Sequence, residues 1–341
     1  MCPPETDISV IVPVHERTAF LEDALESIRT QTIGRKRVET ILVSWEGHPL
    51  PARFCSHPVV DKLLSGPSSL GGKIALGVES ASSEIVAILE DDDLFAPTKL
   101  ERLHTAFSDH AIGFVANGIR TVGEDLDRTT VPLYIEPKIS LVARDDMEKV
   151  QSYGKLIRMG ANMRLSSMAF RSSILRDSLG RLRAVRGSTD HFIFVSALTS
   201  QLGILTLTSP LTVYRVHASD SQARGSPSVI LAELGRKSNQ HLEDYRIIFE
   251  IAMGTPFQRA VEADTLELQA GSFLLGGSGS PITLRNLMSI IESRRVAGLG
   301  APPCGWRMSL ISLLVGIPLK RALPGLARAV SLVWLSRAGL E

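Results

Sequence analysis

The segment Ile85–Leu89 is a short apolar run that passes straight into four consecutive acids, Glu90-Asp91-Asp92-Asp93. An apolar run of that length has the pattern of a buried strand. Four carboxylates at its end raise one another's pKa values unless a cation or strong donors offset them. A divalent ion meets that need, because hard Mg²⁺ or Mn²⁺ prefers carboxylate oxygens together with substrate phosphates. The plainer alternative is that the acids open the next helix, whose dipole favours negative charge there. For Asp93 in particular that reading stays open.

The segments around this run set the fold class. Ile8–Val14 and Val38–Ser44 are further β-branched apolar runs suited to buried parallel strands. Between them, Phe20, Leu21, Leu25 and Ile28 recur at helical spacing, with Thr18 as the expected cap. Strand, helix, strand repeated is the grammar of an α/β domain with a mostly parallel central sheet flanked by helices. In such sheets ligands collect beyond the carboxyl ends of the strands, where the acidic run lies. A helix is expected after Pro97, a strand over 112–117 and polar loops with short strands over 124–147. A strand leading into a helical turn is expected over 166–175, a helix over 190–202 and a strand over 205–214. Residues 219–225 read as a polar loop able to close over a ligand, and helical patterns dominate 230–253.

The charge is unevenly placed. The 341 residues carry a formal net charge of +1, which gives no electrostatic case for nucleic-acid binding. From Pro281 to Glu341, however, eight Arg or Lys face two Glu, so the tail is +6 and the remainder −5. Gly/Ser/Pro-rich stretches at 271–281 and 298–305 set this tail off. Its apolar stretches, Met308–Leu319 and Ala322–Leu335, are each shorter than the roughly 20 residues a spanning helix needs. They read as amphipathic segments lying on a membrane surface, with Trp306 and Trp334 as anchors. Helices packed on the catalytic domain, or a membrane-entering hairpin, are the alternatives. Cys2, Cys55 and Cys304 have neither disulfide nor metal-ligand spacing, and no secretory leader is visible. A cytoplasmic location, peripheral on the inner face of the membrane, is the expectation.

The ordered motifs resemble a known family. Ile8–Thr32 (ISVIVPVHERTAFLEDALESIRTQT) and Gly77–Leu103 (GVESASSEIVAILEDDDLFAPTKLERL) resemble the two signatures of family-2 glycosyltransferases, and the likeness extends over about residues 8–220. It implies a GT-A fold with a C-terminal helical extension, a nucleotide-sugar donor, Mn²⁺ or Mg²⁺ on the donor phosphates, and inversion at the anomeric carbon. Its acidic motif falls on Glu90, Asp91 and Asp92, with Asp92 as metal ligand and Glu90 toward the donor's ribose or sugar. Pro13, His15 and Glu16 are implied to border the nucleotide base. Asp190 matches the acid that takes the acceptor hydroxyl's proton; a simple acid at a helix start is the alternative. In Tyr214-Arg215-Val216-His217, Arg215 is implied to meet phosphate and His217 the metal, or else His217 is a hydrogen-bonded loop residue.

Two departures touch the base pocket. Where the family often has acidic residues after its second strand, this chain has Trp45 and Glu46, able to stack on a base and accept its hydrogen bonds. Trp45 as a core aromatic is the alternative. Where an Arg-Asn pair is common, Ile74 and Ala75 follow Lys73. The domains expected are a catalytic domain over 1–225, divided near 120 into donor and acceptor halves, a packed helical region over 226–280, and the basic tail over 281–341. A glycan or lipid-linked acceptor is what the resemblance implies, with the tail bringing the enzyme to the membrane. A non-catalytic nucleotide- or sugar-binding relative and a nucleotidyltransferase are the competing functions.

Overall fold

The computed structural model describes residues 6–16, 18–47, 49–124, 139–217, 227–274, 278–280 and 283–296. The expected loop over 219–225 and both apolar stretches of the tail lie outside the described residues. The chain divides into two compact units, Met1–Asp220 and Ser221–Glu341.

In the first unit the elements follow one another as β1 (Ile8–Pro13), α1 (Leu21–Arg29), β2 (Val38–Trp45), α2 (Ala52–Cys55), β3 (Lys62–Gly66), α3 (Leu70–Ser80), β4 (Ile85–Ile88), β5 (Leu94–Phe95), α4 (Lys99–Phe107), β6 (Ile112–Val122), β7 (Ile139–Ala143), α5 (Asp146–Arg158), β8 (Met168–Arg171), α6 (Leu179–Leu182), α7 (Thr189–Thr199) and β9 (Gly203–Arg215). They build one mixed sheet in the order β3-β2-β1-β4-β8-β6-β9-β5, with β7 also on β9. The β3-β2-β1-β4 half is wholly parallel. Antiparallel pairs then join β8 to β4 and to β6, while β6 and β9 run parallel.

All six residues of β1 are buried, as a strand covered on both faces requires. α1 buries Leu21, Ala24, Leu25 and Ile28, one face at helical spacing. Its N-cap is Phe20, without a side-chain cap bond, because Thr18 belongs to a preceding turn in which its carbonyl accepts the Leu21 N–H. The expected Thr18 cap is therefore corrected. From β1 the chain runs through α1 to β2 on one side, and after β3 it crosses through α3 to β4 on the other. The switch point of the sheet thus lies between β1 and β4, and the crevice beyond their carboxyl ends is where such a sheet receives a ligand.

The second unit holds α8 (Pro227–Ala252), α9 (Gln258–Leu274) and α10 (Leu284–Val296). Gly271 lies inside α9, not in a break. Ala263, Leu266 and Ala270 of α9 pack with Leu287 and Ile290 of α10, so the start of the expected tail is built into a helical core. Asn239 on α8 accepts the Ser272 hydroxyl of α9 at 2.6 Å. Among the described residues, no helix is long and apolar enough to cross a membrane.

Candidate active site

The acids follow β4 directly, and the following strand fixes what faces them. Leu94 of β5 pairs with Val213 of β9 and Phe95 with Thr212. Because that pair is antiparallel, continuing it backward from Leu94 lays Asp93 and Asp92 beside residues 214–217. The Arg215 N–H donates to Asp93 Oδ1 at 3.1 Å, and His217 Nε2 lies 3.1 Å from Asp92 Oδ2. Two residues 125 positions apart are thus brought together by a two-residue strand. The Phe20 ring packs on His217 with centroids 5.0 Å apart.

Arg215, expected at the phosphate, is held by contacts within the protein. Its guanidinium donates to the Asp92 carbonyl at 3.2 Å, the Glu124 carbonyl at 3.3 Å and Asp23 at 2.8 Å, and lies 4.4 Å from the Phe20 ring centroid. The fork is turned toward protein acceptors, and it braces the loop that carries the acids.

Across the switch point, Asp91 Oδ2 accepts the His15 N–H at 2.7 Å, fastening the loop after β1 to the loop after β4. Beside this link is a cavity of about 570 Å³ lined by His15, Glu16, Trp45, Ser68 and Lys73. Trp45 closes β2, and its indole lies over Gly47 so closely that a Cβ there would be 1.8 Å from a ring carbon. Gly47 is what lets the ring lie against the backbone. Lys73, on the first turn of α3, is buried and donates to the Val14 carbonyl at 2.6 Å. Burial holds its pKa below the usual lysine value, with Asp91 and Glu16 opposing. Pro13 is buried at the end of β1, and Glu46 is exposed in the turn after Trp45. Ile74 and Ala75 are wholly buried in α3.

The acids are electrostatically costly. Burial pushes Asp91 up to about 7, with the neighbouring Asp92 adding to it and the His15 N–H and Lys73 resisting. Burial and Asp92 likewise push Asp93 up to about 7. Glu90 stands well above the usual carboxylate range, first through desolvation and then through Asp93, Asp92, Asp190 and Asp91. Beneath them Lys99 is fully buried, its ammonium on the Ser166 carbonyl and, at 2.9 Å, on the Thr212 hydroxyl. Ser166 in turn accepts the Glu90 N–H at 3.0 Å.

Asp190 enters this group from α7. As the second residue of that helix, its Oδ1 accepts the His191 N–H at 2.8 Å. Its Oδ2 accepts the N–H of Arg164 at 3.1 Å. Burial raises its pKa to about 6, with those amides and the Arg164 charge holding it from going higher. The structure therefore gathers Glu90, Asp91, Asp92, Asp190 and His217 at the carboxyl end of β4, beside a cavity walled by Trp45. Phe20, Asp23, Ser68, Arg164 and Ser166 complete the surroundings and carry no motif that marks them in the sequence.

Among the described residues no three His, Cys, Asp or Glu side chains form a ready cage for a metal. One carboxylate and one imidazole, Asp92 and His217, do meet. That donor set suits Mn²⁺ or Mg²⁺ where the remaining ligands come from substrate phosphates and water.

No family model and no curated protein matches the sequence. Among solved structures the chain is similar to S. aureus TarS 1–349, with a TM-score of 0.51 and 14% identity, covering 86% of this chain and 83% of that one. It is similar to S. aureus TarS, with a TM-score of 0.51 and 14% identity, over 95% of this chain and 53% of that one. A third, S. aureus TarS 1–349 in complex with UDP, gives a TM-score of 0.50 and 11% identity over 91% of each chain. The chain has the GT-A fold. In this GT-A sheet the parallel half carries the Trp45 cavity, while Asp190 reaches the same crevice from α7 and His217 from the end of β9.

Proposed function

We propose that the protein is a glycosyltransferase that moves a sugar from a nucleotide-diphosphate donor to a hydroxyl of a glycan or lipid-linked acceptor, with inversion at the anomeric carbon. The observation that carries this reading is the convergence of Asp92, His217, Glu90 and Asp190 on one crevice beside the Trp45–Lys73 cavity.

In this reading the nucleotide base lies in the cavity against Trp45, with His15 and Glu16 at its edge. Asp92 and His217 would hold Mn²⁺ or Mg²⁺ against the donor diphosphate, and that ion supplies charge neutralisation of the leaving group. Glu90 faces the donor's ribose or sugar. Arg215 keeps Asp92 and Asp93 in register and takes no phosphate itself. Asp190, with a value near 6, is mostly ionised at neutral pH and still basic enough to accept the acceptor hydroxyl's proton. One base suffices for inversion, since no covalent intermediate has to form. The +6 tail is assigned to an anionic membrane surface, placing the enzyme peripherally on the inner face where a lipid-linked acceptor is reached.

Release of nucleoside diphosphate from a panel of UDP-, GDP- and dTDP-sugars, with Mn²⁺ or Mg²⁺ and with chelator, tests this. Metal-dependent release from one donor, lost in Asp190→Asn, supports the reading; release unaffected by that substitution contradicts the assigned base. The wholly buried Ile74 and Ala75, where the resembling family has Arg-Asn, favour a second reading as a non-catalytic nucleotide- or sugar-binding relative. Tight nucleotide binding with no release from any donor would select it.

A further inference from the structure

Arg164 is the only non-glycine residue with positive φ among the described residues, at φ 64° and ψ 98°. An L side chain is disfavoured at that φ, which glycine, lacking a Cβ, tolerates better. A turn needing only that geometry has no use for arginine, so the side chain has a reason to be present. Two backbone contacts and one side-chain contact tie the residue to the site, and the last supplies that reason. The Arg164 N–H donates to Asp190 Oδ2 at 3.1 Å. Its carbonyl accepts the Ser167 N–H at 2.9 Å and the Ser167 hydroxyl at 2.7 Å, opening the single 3-10 turn 165–167 whose Ser166 receives the Glu90 N–H. Its guanidinium lies 5.2 Å from the ring centroid of Tyr214, the residue before Arg215.

We infer that Arg164 is the positioning residue of the general base: it orients the Asp190 carboxylate and locks it, through Ser166 and Tyr214, to the strand ends that carry Glu90 and His217. The inference rests on the proposed role of Asp190. Asp190 has two backbone anchors, and the one from His191 belongs to its own helix. The Arg164 backbone is thus the anchor that relates the base to the rest of the site, and the guanidinium against Tyr214 holds that backbone in place. Its positive charge also helps to hold the Asp190 pKa down against burial. Planar stacking on a ring is a property of guanidinium that an ammonium reproduces poorly.

The test compares wild type, Arg164→Gly, Arg164→Lys and Asp190→Asn in the full chain. Arg164→Gly keeps the N–H and removes the Cβ that a positive φ disfavours, with folding checked by denaturant unfolding. UDP binding with Mn²⁺ is expected to stay within about twofold while kcat for nucleoside diphosphate release falls about 10–100-fold, the scale of a misplaced catalytic group. Arg164→Lys is expected to restore part of that loss. Independently of turnover, the ¹³C carboxyl resonance of Asp190 should titrate at higher pH in Arg164→Gly and return toward the wild-type midpoint in Arg164→Lys. Unchanged kcat and an unchanged Asp190 midpoint in Arg164→Gly would overturn the inference. Wild-type kcat in Asp190→Asn would instead overturn the role of Asp190, whatever Arg164 does.

Discussion

The two ends of the parallel half-sheet each bury acids, and they treat them in opposite ways. At the amino end, Glu39 accepts the Ser9 hydroxyl at 2.5 Å, the Ser82 N–H at 2.8 Å and the Ser82 hydroxyl at 2.7 Å, and pairs with Lys62 at 2.7 Å. Burial alone would raise its pKa, but those donors more than offset it and leave Glu39 below its ordinary value. At the carboxyl end, Asp91 and Asp93 rise to about 7 and Glu90 also stands high. Glu39 has what a structural carboxylate needs within the protein. The acids after β4 stay raised by burial and by one another, and that deficit supports the proposed cation and charged substrate there.

If the ends differ in this way, substitutions should separate function from stability. The largest effect is expected for Asp190→Asn, which should lower kcat for transfer by about 10²–10⁴ while leaving nucleotide binding intact, as measured by product release beside calorimetric titration. Asp92→Asn should weaken Mn²⁺-dependent nucleotide binding by about 10–100-fold, the scale on which disturbed metal sites lose affinity. Glu39→Gln should do the reverse, costing about 1–3 kcal/mol of stability in denaturant unfolding with kcat unchanged, because buried donors lose their ionised partner. A catalytic defect in Glu39→Gln, or a purely structural one in Asp92→Asn, would erase the contrast.

A pH dependence of stability is expected as well. Asp91 and Asp93 sit near 7 when folded against about 4 when unfolded, so the folded chain holds more protons across that window. Stability in chelator should therefore fall as pH rises from about 4 to 7, most clearly in thermal unfolding, and Asp93→Asn should flatten the slope. Glu39, with its lowered value, acts in the other sense: its contribution is present above its unfolded value and lost as pH falls through the folded one.

The parallel half of the fold was legible because β1, β2 and β4 are apolar runs of strand length and the acids sit at the end of one. The edge strand β3 was not, since Lys62-Leu63-Leu64-Ser65-Gly66 alternates exposed and half-buried positions and ends in glycine. α5 was not foreseen, the loops expected over 124–147 running into its first turn, although its start carries a signal: Asp145 accepts the Glu148 N–H at 2.8 Å and Glu148 reaches back to accept the Arg144 N–H at 2.7 Å. Within the site, residue identities at Asp92, Asp190 and His217 pointed to one another through order along the chain. The contact of Asp92 with His217 depends on the Leu94–Val213 pairing, which no local pattern encodes. Arg164 was invisible for a related reason, because a positive φ on arginine is imposed by tertiary contacts and not by its neighbours in sequence.

The central claim is that the acids after β4 form a cation-dependent nucleotide site. The most direct test is calorimetric titration of UDP, GDP and dTDP into wild type and Asp92→Asn, in Mn²⁺ and in chelator. The account predicts that one nucleotide binds wild type in Mn²⁺, and that binding is lost with chelator and sharply weakened in Asp92→Asn. Equal binding in all of these conditions, or binding of none, would contradict it.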